Sequence, residues 1–219
     1  MKRPKICAVI TEDNIISVKE IQPLVDLFEV RIDLVGENWT RIVKEISKPW
    51  IACNRISEEG GKWLDSEPRR IERLLLAIEL GASMVDIELQ TRNIENVVAA
   101  VKKRSACVIS SHDFKTTPPL SELKNLLDRQ LKAGADACKI VTTANDVRDN
   151  WTILDLISQN PAVSIVAFAM GPLGLLSRVL SPLAGGYFTY ASIVAGKESA
   201  PGQITVKELL KTYQIIGDS

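Results

Sequence analysis

The chain has 219 residues, 46% of them hydrophobic, which suffices for a full-sized core and excludes an intrinsically disordered chain. Its 27 basic residues balance 27 acidic ones, so charge gives no reason to expect nucleic acid or an anionic membrane as a partner. Four cysteines stand far apart in apolar stretches with no CxxC pair, and the chain has one histidine. That usage argues against a thiolate zinc site, excludes a metal site built from several imidazoles, and suits reduced thiols in a cytoplasmic protein.

In chain order, Met1-Lys2-Arg3-Pro4 leads into a short apolar run at 6–10, too short for the core of a signal peptide. Thr11-Glu12-Asp13-Asn14 follows, so the GxGxxG turn of a dinucleotide-binding sheet is missing. Further strand-length apolar runs lie at 27–32, 50–53, 84–89, 106–109, 137–141, 163–169 and 186–193. Most are continuously apolar, as parallel strands covered on both faces require. Between them run helical stripes: Ile71, Leu74, Leu75 and Ile78 before Gly81, then Leu120, Leu123, Leu127 and Leu131 after Pro118-Pro119 and before Gly134. Val206, Leu209, Leu210 and Tyr213 form another near the C-terminus. No apolar run approaches the roughly 18 residues that span a bilayer. Eight strands alternating with helices predict an α/β fold, a (β/α)8 TIM barrel of eight parallel strands with outer helices, as a single domain over 1–219. A doubly wound open sheet is the alternative.

A barrel carries its chemistry at the C-terminal strand ends, and the unusual polar residues fall there. Glu29 and Arg31 share one side of the second run, and Asp86 and Glu88 one side of the fourth. Arg55 follows the third run, with Glu59 before Gly60-Gly61. His112 closes the fifth run, Arg178 follows the seventh through Met170-Gly171-Pro172, and Ser199-Ala200-Pro201-Gly202-Gln203 follows the eighth. Lys139 sits inside Ala137-Cys138-Lys139-Ile140-Val141. Apolar surroundings favour the neutral amine and should lower its pKa, the condition for attack on a carbonyl. The plainer alternative is a lysine whose stem packs while its head reaches water. One amine, one imidazole and several guanidiniums together suit imine chemistry on an anionic substrate.

These pieces resemble type I 3-dehydroquinate dehydratase, a Schiff-base barrel family. The match rests on Glu29-Val30-Arg31-Ile32-Asp33, Arg55 with Glu59-Gly60-Gly61, Val85-Asp86-Ile87-Glu88-Leu89 and Ser111-His112-Asp113-Phe114. Ala135-Asp136-Ala137-Cys138-Lys139-Ile140, Met170-Gly171 with Ser177-Arg178, and Ser199-Ala200-Pro201-Gly202-Gln203 complete it, in the family's order and approximate spacing. The resemblance implies dehydration of 3-dehydroquinate to 3-dehydroshikimate in the shikimate pathway. Lys139 would form the iminium, His112 would act as general base and acid, and Glu59 would orient His112. Arg178 would bind the substrate carboxylate, Glu29, Arg31 and Arg55 would bind ring hydroxyls and shape the field at the amine, and Ser199 and Gln203 would belong to a closing loop. Asp86 and Glu88 read as structural. The family implies a small-molecule substrate, no cofactor, no metal and a homodimer. The family often carries Met-x-Met where this chain has Phe168-Ala169-Met170, and the 190–199 stretch is slightly longer than usual. A lysine aldolase and a catalytically dead binding barrel are the competing readings; the first would turn over a sugar phosphate, the second would bind an analogue without turnover.

Overall fold

Each apolar run becomes a strand in the computed structural model, which describes residues 3–217. Met1, Lys2, Asp218 and Ser219, the outermost positions of the expected 1–219 domain, lie outside the described residues. The strands are β1 (Ile6–Ile10), β2 (Leu27–Arg31), β3 (Trp50–Cys53), β4 (Met84–Glu88), β5 (Ala106–His112), β6 (Ala137–Thr143), β7 (Ile165–Met170) and β8 (Thr189–Ser192). They pair in parallel in the order β7-β6-β5-β4-β3-β2-β1-β8. At the β7/β8 seam the Tyr187 N–H donates to the Ile165 carbonyl at 2.8 Å, which brings the ends of the sheet together. The (β/α)8 barrel expected from the sequence is the fold observed.

Strand parity divides the core. Alternate residues such as Cys7, Leu27, Ile51, Val108, Ala137 and Val166 pack together inside the barrel. Their neighbours Ala8, Phe28, Val30, Val85 and Ile87 face the helical layer. That layer comprises α1 (Ile15–Ile21), the short α2 (Ile32–Val35) and α3 (Trp39–Val43), α4 (Glu67–Glu79), α5 (Ile94–Val101), α6 (Leu120–Lys132), α7 (Asp149–Ser158), α8 (Leu175–Leu180) and α9 (Val206–Gly217). Among the described residues, no helix is long and apolar enough to cross a membrane.

Local signals explain the boundaries. The Asn14 side chain accepts from the Ser17 N–H and starts α1. Proline in the first turn of α4 costs no helical bond, and Gly81, at φ +96°, supplies the left-handed turn after it. Some expected edges move. β5 and β6 outrun their apolar cores because Ser110, His112 and Thr142 continue the ladder, opposite Lys139, Val141 and Ala169. β8 starts at Thr189 rather than 186. Gly186 is spent on a tight approach, where a Cβ would come within 2.7 Å of the Ser181 carbonyl. In α6 the buried face runs through Leu123, Leu127 and Gln130, and Leu131 is exposed.

Candidate active site

The C-terminal ends of the strands open into a cavity of about 690 Å³, mouth included. All nine residues expected from the sequence line it: Glu29 and Arg31 from β2, Arg55 and Glu59 from the loop after β3, His112 from β5 and Lys139 from β6. Arg178 comes from α8, and Ser199 and Gln203 from the loop after β8. Lys139 is held in register by Ser110 on β5 and Val166 on β7. Behind it, Gln130 on α6 donates its side-chain N–H to the Lys139 carbonyl at 3.0 Å. That bond explains a fully buried glutamine on a face otherwise read as apolar.

The Lys139 ammonium lies 2.9 Å from an Asp86 oxygen and 3.1 Å from Glu29 Oε2. Burial alone would lower its pKa, but Asp86 and Glu29 outweigh burial and raise it. This corrects the expectation of a depressed lysine: adjacent Cys138 and Ile140 point outward by strand parity, and inward-facing Ala137 and Val141 share the interior with the acidic Asp86 and Glu29 of other strands. The resting lysine is an ammonium. Asp86 also pairs with Arg55 at 2.7 Å and accepts from Ser110 at 2.6 Å. Although burial opposes it, these cations hold its carboxyl far below the usual range. Arg55 continues to Glu88 at 3.0 Å, and Glu88 to Arg70 at 2.6 Å. Glu88 thus links the β3 loop and α4 through Arg55 and Arg70, whereas Asp86, also read as structural, touches the lysine directly. Its inward parity with Glu88 was the available signal.

Arg31 is committed to Asp33 through paired bonds of 2.9 and 2.7 Å. Asp33 also accepts from the backbone N–H groups of Arg55 (3.2 Å) and Lys62 (3.0 Å), fixing the loop after β3. Glu59 sits in a 3₁₀ turn, Ser57–Glu59, that ends at Gly60 with φ +79°. At Gly61 a Cβ would fall within 1.9 Å of the Arg55 carbonyl, so only glycine lets the loop fold back.

His112 Nδ1 lies 2.8 Å from Glu59 Oε2. Burial, then Arg55 and Lys139, push the His112 pKa well down, so the ring is neutral at physiological pH. Burial pushes Glu59 up to about 7 against the pull of Arg55. The pair thus gains or loses one proton near neutrality, passing between two protons and one. Ionised Glu59 accepts from Nδ1–H and leaves Nε2 as the basic nitrogen. Protonated Glu59 donates to Nδ1 and puts the ring proton on Nε2.

Arg178 is 1% exposed, with its guanidinium 4.2 Å over the Phe168 ring. Its Nε and Nη1 have no hydrogen-bond partner, and Nη2 reaches the Pro201 carbonyl only at 3.4 Å. Burial lowers its pKa to about 10. Such a planar, unanswered cation is suited to receive a carboxylate. Over it, the loop after β8 is tied by the Gly171 N–H to the Pro201 carbonyl at 3.2 Å and by Gln203 Oε1 accepting from the Ser199 N–H at 2.9 Å. Tyr190 on β8, not singled out from the sequence, also lines the cavity. Glu29, Cys53 and Asp86 bring ligand atoms within 4.8 Å of one another. Both carboxylates already hold Lys139, and burial pushes the Cys53 thiol well up, so this donor set belongs to an ion pair rather than a metal centre.

Comparison with known proteins agrees with this geometry. A family model described as type I 3-dehydroquinase matches residues 6–219. A 3-dehydroquinate dehydratase of Dehalococcoides mccartyi is 42% identical over 216 residues, covering 99% of this chain and 97% of the relative. One from Methanococcus maripaludis is 38% identical over 220 residues, covering 97% and 100%. The crystal structure of type I 3-dehydroquinate dehydratase from Clostridium difficile with covalently modified comenic acid superposes with a TM-score of 0.88 at 27% identity, covering 100% of this chain and 94% of that one. With the family model spanning nearly the whole barrel and relatives above 40% identity end to end, the chain belongs to the type I 3-dehydroquinase family.

Proposed function

We propose that this chain, as one catalytic domain over 1–219, dehydrates 3-dehydroquinate to 3-dehydroshikimate through an iminium on Lys139. The family makes it a carbon–oxygen hydro-lyase acting on a small molecule in the shikimate pathway. The mechanism rests chiefly on one observation: a buried lysine, a carboxylate-braced histidine and an unpaired guanidinium line the same cavity.

The substrate carboxylate docks on Arg178 and supplies the missing counter-charge. Lys139 must first lose a proton, and neutral His112 in the same cavity is the acceptor. The amine adds to the C3 ketone; His112 returns the proton to the carbinolamine oxygen, which leaves as water and gives the iminium. That cation is the electron sink, so no cofactor is called for. His112 then removes the C2 proton and the electron pair moves into the iminium to form an enamine. Collapse of the enamine expels the C1 hydroxyl, which takes the proton from His112 and departs as water. Hydrolysis of the product iminium restores Lys139 and the ketone, for a net loss of one water. Acid–base help of this kind is typically worth about 10²–10⁴ in rate. Glu59 keeps Nε2 as the working nitrogen. Glu29 and Asp86 position the ammonium, and Arg31 and Arg55 place fixed donors around the ring hydroxyls. Ser199 and Gln203 close the loop over the substrate and exclude water.

Four buried free thiols suit a reducing cytoplasm, and the balanced charge offers no footprint for nucleic acid. The homodimer follows from the resemblance, and sedimentation reads it. Intact mass after incubation with 3-dehydroquinate and borohydride, with peptide mapping and a Lys139→Ala control, tests the chemistry. A reduced adduct at Lys139 alone is expected. Folded protein that binds the ligand without forming an adduct, or turnover by Lys139→Ala free of wild-type protein, overturns the mechanism.

A further inference from the structure

The Tyr190 side chain makes two contacts at the reacting end of the cavity. Its hydroxyl donates to Glu29 Oε2 at 2.7 Å, the same oxygen that holds the Lys139 ammonium at 3.1 Å. Its ring lies under that ammonium, with Nζ 4.4 Å from the centroid. The residue is 3% exposed, and its edge is braced by Phe168 and Phe188, at 6.0 and 5.4 Å between centroids. The ring is therefore fixed, and both its face and its hydroxyl act on one ion pair.

We infer that Tyr190 is a positioning residue that sets the ease with which Lys139 releases its proton, its hydroxyl and its ring acting in opposite directions. The hydroxyl draws charge from Glu29, weakens the hold of that carboxylate on the ammonium, and favours the amine. The negative face of the ring holds the ammonium and favours the charged form. The other titratable groups that act on Lys139 are Cys7 on β1, Cys53 and Arg55 on and after β3, Asp86 on β4 and His112 on β5, while Arg31 on β2 lines the same cavity but is committed to Asp33. β7 brings no charge, presenting Val166 and Phe168, and Arg178 lies over Phe168. Among these, Asp86 and Glu29 supply the attraction, with Arg55 opposing it. Asp86 is already saturated by Arg55 and Ser110, which leaves the Glu29–Tyr190 bond as the adjustable member.

The inference refines the imine reading but can be tested apart from it. Competitive acetylation with acetic anhydride across a pH series, with peptide mapping, reads the midpoint at which Lys139 becomes an amine without any substrate. Tyr190→Phe keeps the ring and removes the hydroxyl; its midpoint should rise by about half to one pH unit, slowing acetylation below the midpoint ~3- to 10-fold. Tyr190→Leu also removes the ring, and its midpoint should fall back from that of Tyr190→Phe by about one unit. Borohydride trapping in the same variants should follow the same order. Midpoints for both variants equal to wild type, in protein with native circular dichroism, overturn the assignment even if the imine forms. A wild-type enzyme that acetylates with the expected order but gives no borohydride adduct leaves Tyr190 standing and removes the imine reading instead.

Discussion

Replacing Arg178 with methionine should make the protein more stable and at the same time nearly unable to hold its substrate. The guanidinium is fully enclosed, two of its three nitrogens have no partner, and its pKa is pushed down to about 10 by burial. Because each pKa unit corresponds to about 1.4 kcal/mol, keeping the charge buried at neutral pH costs the empty enzyme on the order of 3 kcal/mol. The Phe168 contact and the slack created by a shorter side chain offset part of the gain, leaving about 1–3 kcal/mol, or roughly 3–10 °C in Tm for a chain of this size. Binding goes the other way. Loss of a desolvated, charge-assisted pair weakens binding by about 2–5 kcal/mol, on the order of 30-fold to several thousand-fold, with KM affected more than kcat. Thermal melts with and without 3-dehydroquinate read both effects. A variant that melts below wild type, yet keeps the ligand-induced rise in Tm, would refute the reasoning that Arg178 is an uncompensated charge waiting for a carboxylate.

Activity should rise through pH 7 and level off above it, because ionised Glu59 leaves Nε2 of His112 free as the base. Glu59→Gln should remove that limb from the pH–rate profile while leaving Lys139 adduct formation in place. The same raised pKa implies a stability cost from Glu59 that is absent below the ordinary glutamate value, near 4.3, and complete above about 7. Denaturant midpoints of the wild type should therefore fall across that window more steeply than those of Glu59→Gln. His112→Ala should still accumulate some borohydride-trappable imine while turnover drops about 10²–10⁴-fold; equal loss of both would assign His112 to imine formation alone. Asp86→Asn strips one carboxylate from both Lys139 and Arg55. It should destabilise the fold by about 3–5 kcal/mol and move the Lys139 acetylation midpoint downward, opposite to Tyr190→Phe.

What the sequence made legible was what strand periodicity carries. Runs of apolar residues located all eight strands, and two-residue spacing put Glu29 with Arg31 and Asp86 with Glu88 on common sides. Reading Lys139 by its chain neighbours failed, because Cys138 and Ile140 face the helices while Glu29 and Asp86 come from strands 110 and 53 residues away. Asp86 looked structural for the same reason: its distant partners, not its local pattern, give it a place at the amine. Gln130 is invisible to a helical stripe, since a polar side chain is buried there to hold the Lys139 carbonyl. Tyr190 reads as one more apolar strand residue until its hydroxyl is found on Glu29. Unusual side chains at strand ends could be placed along the cavity from sequence alone; contacts made with a residue of another strand could not.

The charges of the cavity and its floor are consistent with the kind of substrate proposed for the barrel. Arg31 is matched by Asp33, Arg55 by Asp86, Arg70 by Glu88 and Lys139 by Glu29, in an unbroken series of buried pairs. Each pair takes desolvation with its answer at hand, so none gains much by attracting a further ion. Arg178 stands outside the series. A neutral polyol would leave it unanswered, and a dianion would place a second negative charge beside Glu29, Asp86 and an ionising Glu59. The proposed substrate, a monoanion that also carries a ketone, would satisfy the guanidinium and offer its carbonyl to Lys139 in the same cavity. The lysine can rest as an ammonium because the carboxylates that hold it also fix Nζ in place. In the proposed reaction the step that matters is then the movement of one proton to a histidine that burial and neighbouring cations keep neutral, rather than a lysine kept neutral throughout.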